Sequence, residues 1–190
     1  KGHFTRTSNR HDYALAPFSK TALDSLKDAG LDVIGVGKIP DIFVDQGITR
    51  KIKTVSNEDG MNKTIELASD NFNGLAFINL VDFDAVYGHR RNAAGYGKAI
   101  EEFDVQLGEL INELKNDDLL MVTADHGNDP TYRGTDHTRE QVPLIIYSKQ
   151  FNEMKVLNDS NSFGIIGSTI CDNFNVKYNG IGSSILELLK

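Results

Sequence analysis

The chain has 190 residues and a formal net charge of −7 at pH 7, with an isoelectric point near 5.2. Hydrophobic residues at 39% and charged residues at 25% give a globular composition with enough apolar material for one well-buried domain. The acidic balance argues against a nucleic-acid surface, no apolar run reaches membrane-spanning length, and one cysteine, Cys171, excludes an internal disulfide and makes a reducing, cytoplasmic setting the expectation.

The first residues, KGHFTRTSNRHD, are polar and basic, lack periodicity and begin without methionine, so they read as the middle of a longer protein. A boundary is expected near Ala16-Pro17, where periodic segments take over. Residues 19–30, SKTALDSLKDAG, predict a short helix capped by Ser19, with Leu23 and Leu26 facing inward and Gly30 ending it. LDVIGVGK, 31–38, predicts a strand buried on both faces. A second helix is expected over 57–68, with Met61, Ile65 and Ala68 on its inner side. GLAFINLV, 74–81, is a second buried strand that runs straight into a polar loop, DFDAVYGHRRN, 82–92. The clearest helix covers 93–115, where Ile100, Phe103, Leu107, Leu110, Ile111 and Leu114 repeat at helical spacing. DLLMVT (118–123) and VPLIIYS (142–148) supply the third and fourth strands, 162–174 a further helix, and ILELL closes the chain. The alternation of strands and helices predicts an α/β fold with a largely parallel sheet. There is no internal repeat and no low-complexity segment.

In sheets of this kind ligands gather beyond the carboxyl ends of the strands. Two aspartate–histidine clusters fall there, one after Val81 and one after Thr123. Three of the five histidines, His89, His126 and His137, lie in these loops, and imidazole with carboxylate is a ligand mix that suits zinc, manganese and iron. Asp84 and His89 can fold back onto one ion. Asp125 and His126 are adjacent, and on a regular strand their side chains would diverge. They serve one ion if the chain turns, which Gly127 and Asn128 make easy; otherwise they straddle two. Two aspartates and three histidines exceed what one tetrahedral ion needs and fall short of what two ions need. A two-metal site would draw further ligands from outside this segment. Asp82, Asp129 and Asp136 read as turn or supporting residues, with Asp136 beside His137 in a position to orient an imidazole. Taken singly, each histidine reads as a surface or hydrogen-bonded residue; their joint placement favours metal.

Together NLVDFDAVYGHRR, TADHGNDP and GTDHTREQVPLIIYS resemble phosphopentomutases of the bacterial type, members of the alkaline phosphatase superfamily. FTRTSNRHDYAL and VIGVGKIPDIF are similar to segments of the same family, so the resemblance runs along nearly the whole chain and is densest over 80–148. The D-H-G-N element is shared by several metal-dependent phosphatases and mutases. D-x4-H-R-R, with a third histidine eleven residues after His126, is far narrower.

The resemblance implies a three-layer α/β/α alkaline-phosphatase-like core. Residues 1–16 would be the tail of a cap domain and 17–190 the carboxyl-terminal part of the core, without the N-terminal core strands and most of the cap. It implies two Mn2+ ions, one held by Asp84, His89 and His137 and the other by Asp125 with His126. The remaining ligands, an early aspartate and a phosphorylated threonine, would belong to an N-terminal part of the protein, so this segment alone is expected to be inactive. Arg10 would grip the phosphate of a sugar phosphate substrate and Lys38 would lie near it; without the resemblance both read as solvated basic residues. Arg90, Arg91 and Arg139 are left open between stabilising the loops and attracting phosphate. The implied activity is interconversion of ribose 1-phosphate and ribose 5-phosphate, and of their deoxyribose analogues. Two other readings stand beside it. One is a cofactor-independent phosphoglycerate mutase or a phosphatase of the same superfamily, although in such mutases the first-loop aspartate and histidine are four apart rather than five. The other is a non-catalytic metal-binding module.

Overall fold

A computed structural model describes residues 13–189, and Arg10 lies outside them. Helix α1, Ala22–Asp28, begins at Thr21 rather than at Ser19. The Asp24 N–H donates to Thr21 Oγ1 at 3.4 Å, and the Thr21 N–H donates to the Asp24 carboxylate at 2.7 Å. Thr21 takes the cap because an acidic residue stands three positions later to close the box; Ser19 has Ala22 there.

The described residues divide into two units. The first carries a parallel sheet in the order β2-β1-β3, built from β1, Asp32–Val36, β2, Arg50–Ile52, and β3, Gly74–Ile78. Ile34 of β1 stands opposite Arg50 on one side and Ala76 on the other. Central β1 is buried from Val33 to Val36, as its unbroken apolar run predicts. β3 is only half-buried and ends at Ile78 instead of continuing to 81. β2 escapes sequence reading because three residues, two of them charged, show no period.

At the carboxyl end of β1 the chain turns at Gly37, whose φ is +76°, and a Cβ there would sit 2.5 Å from the Asn79 carbonyl oxygen. Only glycine leaves the sheet by that route. Lys38 follows as the residue before a short helix α2, Ile39–Ile42. Leu23, Leu26, Val33, Ile39, Ile48 and Cys171 form the core of this unit, where α5, Gly164–Asn173, packs on α1. Cys171 is 1% exposed and burial pushes its thiol above the usual range, which makes it a packing residue rather than a nucleophile.

The second unit contains α3, Asn57–Ala68, and α4, Ala93–Glu113. α3 has the bounds its periodicity predicts, but its buried face is Gly60, Met61, Thr64 and Leu67, so Ile65 and Ala68 sit at the margin. In α4, Ala99 and Leu110 are buried and Phe103, Leu107, Ile111 and Leu114 half-buried, while Ile100 points outward. Lys149 donates through Nζ to the Asn112 and Leu114 carbonyls at 3.1 and 2.5 Å, which satisfies acceptors a helix end leaves unpaired.

β4, Leu120–Thr123, and β5, Leu144–Tyr147, pair antiparallel, with Leu120 opposite Tyr147. The parallel expectation therefore holds for β1–β3 and fails for β5. No helix occupies 124–143, and a parallel return needs a crossover of that kind. The segment read as a polar loop at 82–92 instead contains a π-helix, Phe83–Gly88. A last turn, α6, spans Leu186–Leu189. No helix among the described residues is long and apolar enough to cross a membrane.

Leu26 is 0% exposed in the core of the first unit whereas Ile100 is 49% exposed on α4. In urea denaturation Leu26→Ala is expected to cost about 2–5 kcal/mol through lost burial and the cavity it leaves. Ile100→Ala is expected to stay within about 0.5 kcal/mol.

Candidate metal centre

The π-helix carries Asp84 in its first turn, and His89 closes it by donating its backbone N–H to the Asp84 carbonyl at 3.0 Å. That bond spans five residues, the π-helical repeat, and it sets the two side chains on one side of the turn. Phe83 anchors the segment on α4, tilted against Tyr96 at 5.7 Å and edge-on to Phe103 at 6.0 Å between ring centroids. Burial pushes the Tyr96 hydroxyl above its ordinary range, and the charge of Asp84 adds to the effect.

The opposite wall is the excursion between β4 and β5. Its neck is an antiparallel bridge between Gly127 and Thr138, made by the Thr138 N–H donating to the Gly127 carbonyl at 3.1 Å. Thr138 Oγ1 also accepts from the Asp129 N–H at 2.7 Å. This pinching brings His126 and His137 together although eleven positions separate them. Their rings stack at 3.8 Å between centroids, 25° from parallel.

Three side chains then converge. His137 Nε2 lies 3.2 Å from Asp84 Oδ1, His89 Nε2 lies 3.3 Å from Asp84 Oδ2, and the two Nε2 atoms are 3.2 Å apart. One ligand atom from each of Asp84, His89 and His137 falls within 4.8 Å of the others. The His89 tautomer follows from its other nitrogen. Nδ1 is 2.5 Å from the Thr135 carbonyl oxygen, which can only accept, so Nδ1 carries the proton and Nε2 of the neutral ring presents a lone pair. A lone pair aimed at a carboxylate oxygen calls for a positive charge among the three groups.

The distances fit a cation. With bonds of about 2.1 Å, neighbouring ligand atoms stand about 3.0 Å apart in an octahedron and about 3.4 Å apart in a tetrahedron. The observed 3.2–3.3 Å separations fall between the two, and the nitrogen–oxygen donor set suits a borderline divalent ion.

The other predicted ligands sit differently. His126 Nε2 is 3.8 Å from Asp125 Oδ1, and its Nδ1 contacts the Gly127 carbonyl at 3.2 Å. Asp125 is exposed, and neither residue joins the three-membered group among the described residues. Lys38 lies on the first unit, half-buried.

Asp136 does not orient an imidazole. Its carbonyl accepts from Arg91 Nη2 at 2.6 Å, and it is the Thr135 carbonyl that supplies the acceptor for His89. Asp82 caps α3 from a distance, its carboxylate accepting the Asn57 N–H at 2.7 Å. Asp129 closes a turn with Thr131, accepting its N–H and hydroxyl at 2.7 Å each.

Two residues stand out that sequence reading had not placed. Arg91, in a left-handed conformation with φ 53°, donates to the carbonyls of Gly134, Gly88, Asp129 and Asp136 and to Asn128 Oδ1. This settles it as a brace of the excursion. Asn128, read as a turn-former, is 8% exposed and donates Nδ2 to Asp84 Oδ1 at 2.7 Å. Gly88 makes room for it, since a Cβ there would lie 2.5 Å from Asn128 Nδ2.

A family model described as the metalloenzyme superfamily matches residues 1–178. The chain belongs to the metalloenzyme superfamily. Within it, a curated relative named phosphopentomutase, from Agathobacter rectalis, is 58% identical over 191 residues, an alignment that takes in 100% of this chain and 48% of the relative. The chain thus spans about half the length of that relative. Among solved structures, one titled as Leishmania mexicana phosphoglycerate mutase at low cobalt concentration superposes with a TM-score of 0.64 at 17% identity, covering 89% of this chain and 39% of that one. This likeness establishes the α/β, alkaline-phosphatase-like fold.

The Thr131 backbone N–H, then its hydroxyl, hold the Asp129 carboxyl below the usual range, with Arg91 assisting. A depressed folded-state value means that the contribution is present above the ordinary carboxylate range and is lost as pH falls through the lowered value. In a carbon-13 titration of the carboxyl carbons, Thr131→Val is expected to raise Asp129 only part of the way to normal, because the backbone donor stays. Full normalisation would show that the hydroxyl alone sets the shift.

Proposed function

We propose that this chain is the carboxyl-terminal part of a phosphopentomutase, an isomerase that moves a phosphoryl group between the 1 and 5 positions of ribose and deoxyribose. The observation that carries this reading is the 58% identity to the Agathobacter rectalis phosphopentomutase across the whole chain. In this reading residues 1–16 end a cap domain, 17–190 belong to the catalytic core, and the nucleophilic threonine with an early aspartate comes from the remaining part of the protein. The enzyme works in the cytoplasm, a setting that the lone buried Cys171 suits.

Asp84, His89 and His137 hold one Mn2+ ion, and Asp125 with His126 the other. Bound there, the ions would neutralise phosphoryl oxygens and lower the pKa of the threonine hydroxyl. The chain's own residues do the positioning. Thr135 fixes His89 with Nε2 free to ligate, and the stacked ring of His126 keeps His137 from swinging outward. Arg10 grips the distal phosphate through bidentate, charge-assisted hydrogen bonds, and Lys38, beyond the carboxyl end of β1, adds a second positive charge for the substrate.

The full-length protein assayed with Mn2+ is expected to convert ribose 1-phosphate to ribose 5-phosphate and to leave phosphoglycerate unchanged. Turnover of the glycerate alone would sink the proposal. His126→Ala and His137→Ala are each expected to lower turnover by on the order of 100-fold or more, in line with loss of a main electrostatic stabiliser. Retention of activity in both would leave only a non-catalytic metal-binding role.

A further inference from the structure

Asn128 connects the excursion to the metal centre. Its side chain bridges Arg91 Nη1, 2.6 Å from Oδ1, and Asp84 Oδ1, 2.7 Å from Nδ2. An amide can present either end, and the guanidinium decides which. Arg91 has only donors, so the atom facing it must be the carbonyl oxygen, and the NH2 group must then face the carboxylate. Turned the other way, the amide would set an oxygen against a carboxylate oxygen and an NH2 against a guanidinium, two repulsive contacts in a buried place.

Arg91 is fixed in turn. Its Nε and Nη2 donate to the Gly134 and Asp136 carbonyls at 2.6 Å each, and Nη1 reaches the Asp129 carbonyl at 2.8 Å. It cannot rotate without releasing the excursion.

We infer that Arg91 and Asn128 are positioning residues for the metal ligand Asp84. Asn128 locks the rotation of the carboxylate by engaging Oδ1, and Arg91 dictates the sense of the amide that does so. The inference rests on the reading of Asp84 as a ligand. It assigns these two residues a role distinct from holding the loop together, because the loop needs only the arginine–carbonyl bonds, whereas the ligand needs the amide N–H. Asn128→Asp separates the two roles. Aspartate keeps an acceptor for Arg91 and nearly the same volume, but replaces the donor to Asp84 with a second carboxylate oxygen.

The test is titration of the full-length, metal-free protein with Mn2+ alone, followed by calorimetry and by the electron paramagnetic resonance of free Mn2+, with thermal melting of each metal-free protein alongside. Asn128→Asp is expected to weaken Mn2+ binding about 10- to 100-fold, the range for loss of a group that orients a ligand, and to lower the melting temperature of the metal-free protein, because it sets a second carboxylate against Asp84. Unchanged or tighter Mn2+ binding by a folded Asn128→Asp protein would overturn the inference. If Asn128→Asp does not fold, Asn128→Ala decides in its place. Alanine leaves the arginine–carbonyl bonds of the excursion in place and removes only the amide, so weaker Mn2+ binding by the folded protein supports the role and wild-type binding refutes it. A wild-type protein that binds no Mn2+ would instead defeat the metal reading itself.

Discussion

One guanidinium holds the second unit's functional loops in register. Arg91 follows the π-helix in a left-handed conformation, a backbone state that costs an ordinary residue on the order of 1–2 kcal/mol. Its planar donors then run into four backbone carbonyls and one side-chain oxygen. No other side chain carries enough donors in fixed directions to do this. The long loop between β4 and β5 has no helix to satisfy its own carbonyls, and three of them, those of Asp129, Gly134 and Asp136, are satisfied by this one residue. Where His137 sits, and which way Asn128 faces, both follow from that arrangement.

The same constraint explains how electron-rich atoms can be kept close together. Two imidazole nitrogens and a carboxylate stand 3.2–3.3 Å apart, held together by a ring N–H or by a shared cation, and a pliable loop would let them drift apart. Here each group is held from behind: His89 by the Thr135 carbonyl, His137 by the stacked ring of His126, Asp84 by Asn128. The protein's net charge of −7 further favours an approaching divalent cation over long range.

Much of this was legible in the sequence, and the gaps have physical causes. Buried β1 and the bounds of α3 follow from local pattern, because a strand covered on both faces and an amphipathic helix each impose a clear period. Asp84, His89 and His137 could be singled out because only five histidines occur in the chain and three of them fall in two strand-end loops, and the family resemblance then grouped these three on one ion. Thr21 displaced Ser19 as a cap through an acidic partner three residues on, a signal present in the letters. The reversal of β5 and the π-helix were less accessible. The first depends on the absence of a crossover helix across 124–143, the second on one extra residue per turn in a short stretch that shows no regular period. Asn128 looked like a turn-former because its other property, a carboxylate 44 positions away within hydrogen-bonding reach, exists only after folding.

The π-helix between Phe83 and Gly88 makes chain length itself part of the coordination chemistry. In an α-helix successive residues advance about 100°, so a residue five positions on lies about 140° away from the first, and one four positions on lies about 40° away. A ligand pair spaced by five therefore belongs to a wider turn, and a pair spaced by four to an ordinary one. Adding a residue to that turn would swing His89 out of line with Asp84 while leaving every ligating side chain in the sequence, and removing one would keep the pair aligned only by tightening the turn to an ordinary α-helical one. The length of this segment is therefore as tightly constrained as the identity of Phe83, Asp84 and Gly88.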